Sequence, residues 1–111
     1  MDNKLIDMAD GVRRFAGDFD AYTETLQMFL TKNNIAEIRR CIETGDEINL
    51  REYTHALKGM AGGLGLLRLF KMVSDVYGRL RDGHITDAAV EFAPVFAVFD
   101  ETIQKINEIL A

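Results

Sequence analysis

The residues best suited to chemistry lie in one run, Tyr53-Thr54-His55-Ala56-Leu57-Lys58-Gly59-Met60-Ala61-Gly62-Gly63-Leu64-Gly65. A neutral imidazole such as that of His55 is a nucleophile near neutral pH, because its unperturbed pKa is about 6.5. A phosphoryl group taken up on its Nε2 would bring negative charge to the spot. Lys58, one helical turn on, is placed to offset that charge as a point cation rather than a bidentate clamp. Glu52 has two readings. It can accept from the imidazole Nδ1–H and fix the tautomer, or serve as the N3 residue of a helix cap begun at Asn49, and the cap is the preferred one.

At roughly 100° per residue, Leu50, Tyr53, Leu57, Ala61 and Leu64 fall within one apolar arc of a helix. His55 lies on the opposite side with Arg51, Glu52, Gly59 and Gly62, and Lys58 is beside them. His55 is therefore expected to be exposed, mid-helix, and not a satisfied core histidine. Each glycine in an exposed helix interior costs about 1 kcal/mol relative to alanine. Gly59 and Gly62 leave flat backbone one and two turns from the imidazole, which suits the close approach of another surface. Gly63 and Gly65 are read equally well as loosening the helix end.

The elements that must hold this face are helical. A weak first segment spans Leu5 to Phe15. Asp18 reads as the N-cap of a helix running to about Leu30, with Tyr22, Leu26, Phe29 and Leu30 on one face. Asn34 caps a helix that places Ile35, Ile38 and Ile42 together and ends at Gly45. After the His55 helix, Leu66 to Arg81 carries Leu69, Met72, Val73, Val76 and Leu80 inward and closes at Asp82-Gly83. Thr86 caps a last segment to Leu110, with Phe92, Val95, Phe96, Phe99, Ile103, Ile106 and Leu110 at helical spacing. Pro94 predicts a kink there, or a short helix followed by a longer one. Short connections make neighbouring helices antiparallel, in an up-and-down bundle.

Composition narrows the function classes. The chain has 111 residues, 48% apolar and 28% charged, a balance that fits one soluble domain over 1–111 and excludes a disordered chain. One Pro and nine Gly are too few for the turns of an all-β fold. A net charge of −5 argues against binding the phosphate backbone of nucleic acid. The lone cysteine, Cys41, cannot form an internal disulfide and reads as a small core residue. The polar start, Met1–Asp10, has no apolar stretch of a signal peptide, and no run is long enough to span a bilayer, so a cytoplasmic protein without a membrane partner is expected.

The run His55-Ala56-Leu57-Lys58-Gly59, with Leu64-Gly65 following, resembles the motif of histidine-containing phosphotransfer domains, and Val12 to Asp18 followed by Tyr22, Leu26 and Phe29 looks like that family's first-helix region. The likeness extends over nearly the whole chain. It implies an all-α antiparallel four-helix bundle with an N-terminal helical lead-in. His55 would accept the phosphoryl group, Lys58 would sit beside that group, and Gly59 would leave room for an incoming receiver domain. Arg51, Glu52, Met60 and Gly62 would border the partner. Met60 departs from the family's usual small or hydroxylated residue, so a hydroxyl contribution there is missing and an apolar docking rim takes its place.

The resemblance implies a phosphorelay carrier, active as a monomer, that takes phosphate from a receiver aspartate of a hybrid sensor kinase or response regulator and passes it to another receiver. Mg²⁺ would belong to the receiver, and no cofactor is expected on this chain. No nucleotide-binding motif is present, since Gly59 to Gly65 lacks the Walker pattern, so the chain is expected to be neither a kinase nor an enzyme by itself. A rival reading is a helical module that docks and sequesters a receiver or kinase without carrying phosphate. Another is a domain excised from a larger kinase, against which the initial Met weighs slightly. His84, in the probable loop Asp82 to Ile85, reads as solvated, and two histidines with one distant cysteine give no metal-ligand spacing.

Overall fold

Four aspartates start four of the helices. Asp7, Asp18, Asp46 and Asp87 each accept from the backbone N–H three residues on, at 3.0, 3.0, 3.2 and 3.3 Å. Each satisfies a donor that the first helical turn leaves orphaned and sets a negative charge at the positive end of the helix dipole. The computed structural model describes residues 4–111, and the first three residues of the polar start lie outside them. The helices are α1 (Met8–Arg14), α2 (Phe19–Phe29), α3 (Ile35–Thr44), α4 (Glu47–Gly63), α5 (Leu67–Arg81) and α6 (Ala88–Leu110), with no strand among the described residues.

Several sequence-predicted boundaries move. The first helix is shorter than Leu5–Phe15. The cap of α4 is Asp46 rather than Asn49, which instead gives Asp46 both its backbone N–H and a side-chain N–H. Those two bonds hold the Asp46 carboxyl below the usual range. Gly45 ends α3 in the left-handed region, so α4 begins as soon as that turn is made. Asn34 makes no side-chain cap; Asn33 accepts from the Ile35 N–H at 3.1 Å and donates to the Phe29 carbonyl at 2.7 Å. Asp87, not Thr86, caps α6. That helix continues through Pro94 as one element, with Pro94 exposed and Phe92, Val95, Val98 and Phe99 buried. The missing Pro94 N–H thus falls on the solvent side.

Helix α4 packs between α3 and α5, α5 against α6, and α6 against α2 and α3, while α1 leans on α2. One core joins them, with Tyr22, Leu26, Ile38, Leu57, Leu69, Val73, Phe92 and Ile106 essentially free of solvent. Met72, expected inward, is 37% exposed. Thr54 and Thr102 are buried instead, each hydroxyl donating to the carbonyl four residues back, Leu50 at 2.6 Å and Val98 at 2.7 Å. At these two positions the hydroxyl enters the core with its hydrogen bond made. No helix among the described residues is long and apolar enough to cross a membrane.

The C-terminal end of α4 is tied down by contacts from α2 and the N-terminal segment. The buried Tyr22 hydroxyl donates to the Leu64 carbonyl at 2.8 Å. Gly11 lies directly under the Tyr22 ring, where a Cβ would overlap it. Gly65 turns with φ +70 and its carbonyl accepts from the Asp7 N–H at 2.8 Å. A Cβ at Gly65 would overlap the Asp7 carbonyl, so that residue does more than loosen a helix end.

Burial first, then the nearby Asp7 and Asp10 carboxylates, pushes the Tyr22 phenol up to about 12. A phenol raised above its unfolded value stabilises the fold fully below pH 10 and loses that contribution as pH rises towards 12. Tyr22→Phe, which leaves the Leu64 carbonyl unpaired, is expected to lower unfolding free energy by about 1–2 kcal/mol in a urea titration at pH 7. In alkaline melts the variant should lose less stability between pH 10 and 12 than the wild type does.

Candidate functional site

Helix α4 carries two unlike faces. Leu50, Thr54, Leu57 and Ala61 are buried against the core. Arg51, Glu52, His55, Ala56 and Gly59 are exposed, and Tyr53, Lys58, Met60, Gly62 and Gly63 are half-buried along the borders. His55 therefore stands mid-helix on the solvent side, as its place on the helical wheel predicts. Leu64, placed on the same arc from sequence, is buried just past the helix as its C-cap.

Among the described residues, the ring contact of the imidazole comes from another helix. The ring of Tyr77, on α5, lies 5.1 Å from the His55 ring between centroids, at an interplanar angle of 42°. The Lys58 ammonium sits 5.5 Å from the centroid of the same Tyr77 ring. Among the described residues, no hydrogen bond or ion pair reaches His55 or Lys58. Glu52 consequently plays neither role expected of it. Its carboxylate makes no bond to the imidazole, and with the cap at Asp46 it lies beyond the first turn, in the body of the helix. Arg51 and Glu52 remain exposed polar residues one turn before His55.

The glycines divide. A Cβ at Gly59 or Gly63 would meet nothing within 4 Å. Gly59 is thus bare backbone beside His55 with open space above it. Gly62 is different: a Cβ there would come within 3.0 Å of the Phe70 ring of α5, so this end of the stripe is covered rather than clear. On the other side of Gly59, Met60 joins Phe15, Met28, Phe29 and Leu64 around a shallow apolar cavity of about 230 Å³ that also reaches Gly63. Met60 packs against the core from this border.

Tyr77 is the residue of this site that the sequence reading misses. The available signal was its place on α5, four residues after Val73 and three before Leu80, at the edge of that helix's buried stripe. Which neighbouring helix it faces depends on packing and is not contained in the periodicity of α5.

The remaining candidates stay apart from this face. His84 is exposed beyond the end of α5, and burial pushes the Cys41 thiol up, which makes it a less reactive thiol. Among the described residues no group of three His, Cys, Asp or Glu side chains is arranged to hold a metal ion. The arrangement as a whole offers an exposed nucleophilic ring, a cation on the same aromatic neighbour, and bare backbone one turn away. No family model matches the chain, and neither does any curated protein or solved structure.

The open space at Gly59 fixes an expectation for stability. Gly59→Ala should stabilise the protein by up to about 1 kcal/mol, since alanine restricts the unfolded chain and meets nothing in the folded one. Gly65→Ala should destabilise it, because of both its positive φ and the overlap with Asp7. Thermal melts of the two variants beside the wild type make the comparison.

Proposed function

We propose that this chain is a phosphoryl carrier of a two-component relay, with His55 as the acceptor. The observation that carries the reading is the exposed His55 ring in the middle of α4, with Lys58 beside it and open backbone at Gly59. In the proposed step the lone pair of His55 Nε2 attacks the phosphorus of a receiver's aspartyl phosphate. The P–N bond forms as the P–O bond to the carboxyl breaks. The aspartate leaves with the electron pair, and the proton on Nδ1 stays in place. Reversal onto a second receiver aspartate returns the imidazole to its starting state.

Transfer of this kind depends on in-line positioning and on stabilising charge at the phosphoryl oxygens, with little covalent work for the carrier. Lys58 supplies charge from this side, and the receiver would supply Mg²⁺ and its acidic pocket. Gly59 lets the receiver's surface descend on the imidazole. The apolar border of Met60 and Met28 offers that surface water-excluding contact, with Arg51 and Glu52 as polar contacts at the other end. The fold supports the same reading. Helices α3, α4, α5 and α6 touch in a closed cycle, as in a four-helix bundle, and α1 and α2 form the lead-in that packs over it. In this reading the chain acts as a cytoplasmic monomer. It neither binds nucleotide nor phosphorylates itself, and it meets its receivers one at a time.

The test is incubation with a panel of phosphorylated receiver domains, followed by acid-labile phosphate on this chain. His55→Gln should abolish labelling and leave the fold unchanged. Lys58→Ala should slow transfer about two- to fivefold, the range an exposed charge pair supplies, and Lys58→Arg should restore most of it. Gly59→Gln should keep its melting temperature and lose transfer on the order of a hundredfold, as expected when reacting groups are held apart. A chain that binds receivers tightly yet takes no phosphate from any of them would instead be a sequestering module. If Gly59→Gln unfolds the protein, the face is not open to a partner.

A further inference from the structure

We propose that Tyr77 is the positioning residue of this site, a platform from α5 that fixes both the imidazole of His55 and the ammonium of Lys58. The inference rests on the phosphoryl-carrier reading and goes beyond it to how the two groups are held.

His55 and Lys58 are three residues apart on α4, and neither has a hydrogen bond or ion pair among the described residues. Free side chains on an exposed helix face sample several rotamers, and a nucleophile that does so spends little time aligned. The contact that both share is the Tyr77 ring, at 5.1 Å from the imidazole centroid and 5.5 Å from the ammonium. Tilted ring pairs attract at such separations, and a cation within about 6 Å of an aromatic centroid is drawn to its negative face. One ring therefore restrains both groups on the same side of α4.

The platform is itself placed by helix packing. Phe70 lies against Gly62, and Tyr77 against His55. The two contacts are seven residues apart on both helices, so α4 and α5 run antiparallel in register and present Tyr77 at the level of His55. Val73, Val76 and Leu80 are buried beside Tyr77 on α5 and hold that turn against the core. Gly62 differs here from Gly59: its missing side chain leaves room for the Phe70 ring against α4.

Both contacts are to the Tyr77 ring, and among the described residues its hydroxyl makes no hydrogen bond. The electrostatics also persist through the reaction. Once Nε2 carries phosphate and Nδ1 keeps its proton, the imidazole is cationic, and a negative ring face favours that state more than the neutral one.

The experiment uses the full chain and two readouts. The first needs no phosphate. In proton NMR spectra, the His55 ring resonances should be displaced by the Tyr77 ring current, and exposed His84 provides an internal reference. Tyr77→Leu, which keeps bulk without a π face, should shift the His55 resonances and leave those of His84 in place. Tyr77→Phe should preserve the wild-type positions. The second readout is the transfer time course at saturating receiver. Tyr77→Leu should lower the rate by about two- to fivefold, the loss of an exposed cation–π contact, and Tyr77→Phe should restore it.

Unchanged His55 resonances in Tyr77→Leu would overturn the platform, whatever the transfer rate. A Tyr77→Phe variant that behaves like Tyr77→Leu would overturn it too, by moving the role to the hydroxyl. If the wild type takes no phosphate from any receiver, the carrier reading fails, while the resonance comparison still decides whether Tyr77 orients His55.

Discussion

The hydrogen bond from the buried Tyr22 hydroxyl to the Leu64 carbonyl ties the end of α4 to the core, and the turn into α5 is made beside it. A helix leaves its last carbonyls without partners, and this one is paired from α2, inside the core. The Gly11 backbone under the Tyr22 ring and the Asp7-to-Gly65 bond close the same corner from the N-terminal segment. The chain then turns at Gly65 and enters α5 with Leu66 fully buried. This short corner brings α5 back along α4, Phe70 first and Tyr77 two turns later. A site made of His55, Lys58 and Tyr77 thus depends on a tyrosine that lies outside it.

The fold leaves one side of α4 free of core obligations. Leu50, Thr54, Leu57 and Ala61 meet the interior, and the opposite side needs only to be soluble. At Gly59 even the helix-favouring choice of alanine is absent, although nothing in the structure occupies the space where its Cβ would lie. Helix stability is thus sacrificed at a bare position next to an exposed imidazole. Four acidic side chains, Asp7, Asp18, Asp46 and Asp87, are committed to helix N-termini, while Glu52 lies exposed on the His55 face. The overall charge of −5 coexists with the Lys58 cation beside His55 on this face.

The two-faced character of α4 was legible from its residues because periodicity alone sorts Leu57 from His55. Asp18 and Gly45 were legible as helix ends for a similarly local reason, one a good cap and the other free to take a positive φ. The start of α4 was not, because Asp46 and Asn49 are both good caps and only the tight turn at Gly45 chooses between them. Thr54 and Thr102 read as polar but are buried, their hydroxyls satisfied within their own helices. Met72 reads as core but faces solvent on α5. Gly62 and Gly59 are alike on a helical wheel; the difference is Phe70, contributed by another helix. Tyr77 was missed for the same reason, since a contact between helices has no signature within either one.

The central claim is that His55 carries the phosphoryl group, and with only two histidines in the chain it can be tested by locating the phosphate directly. The measurement is phosphorus-edited NMR of the chain after reaction with a phosphorylated receiver, using nitrogen-15 in the histidine rings. The account predicts one phosphorus resonance coupled to Nε2 of His55, lost on acidification, with the His84 ring unchanged. Phosphorus coupled to His84, or an acid-stable ester on a hydroxyl side chain, would contradict it.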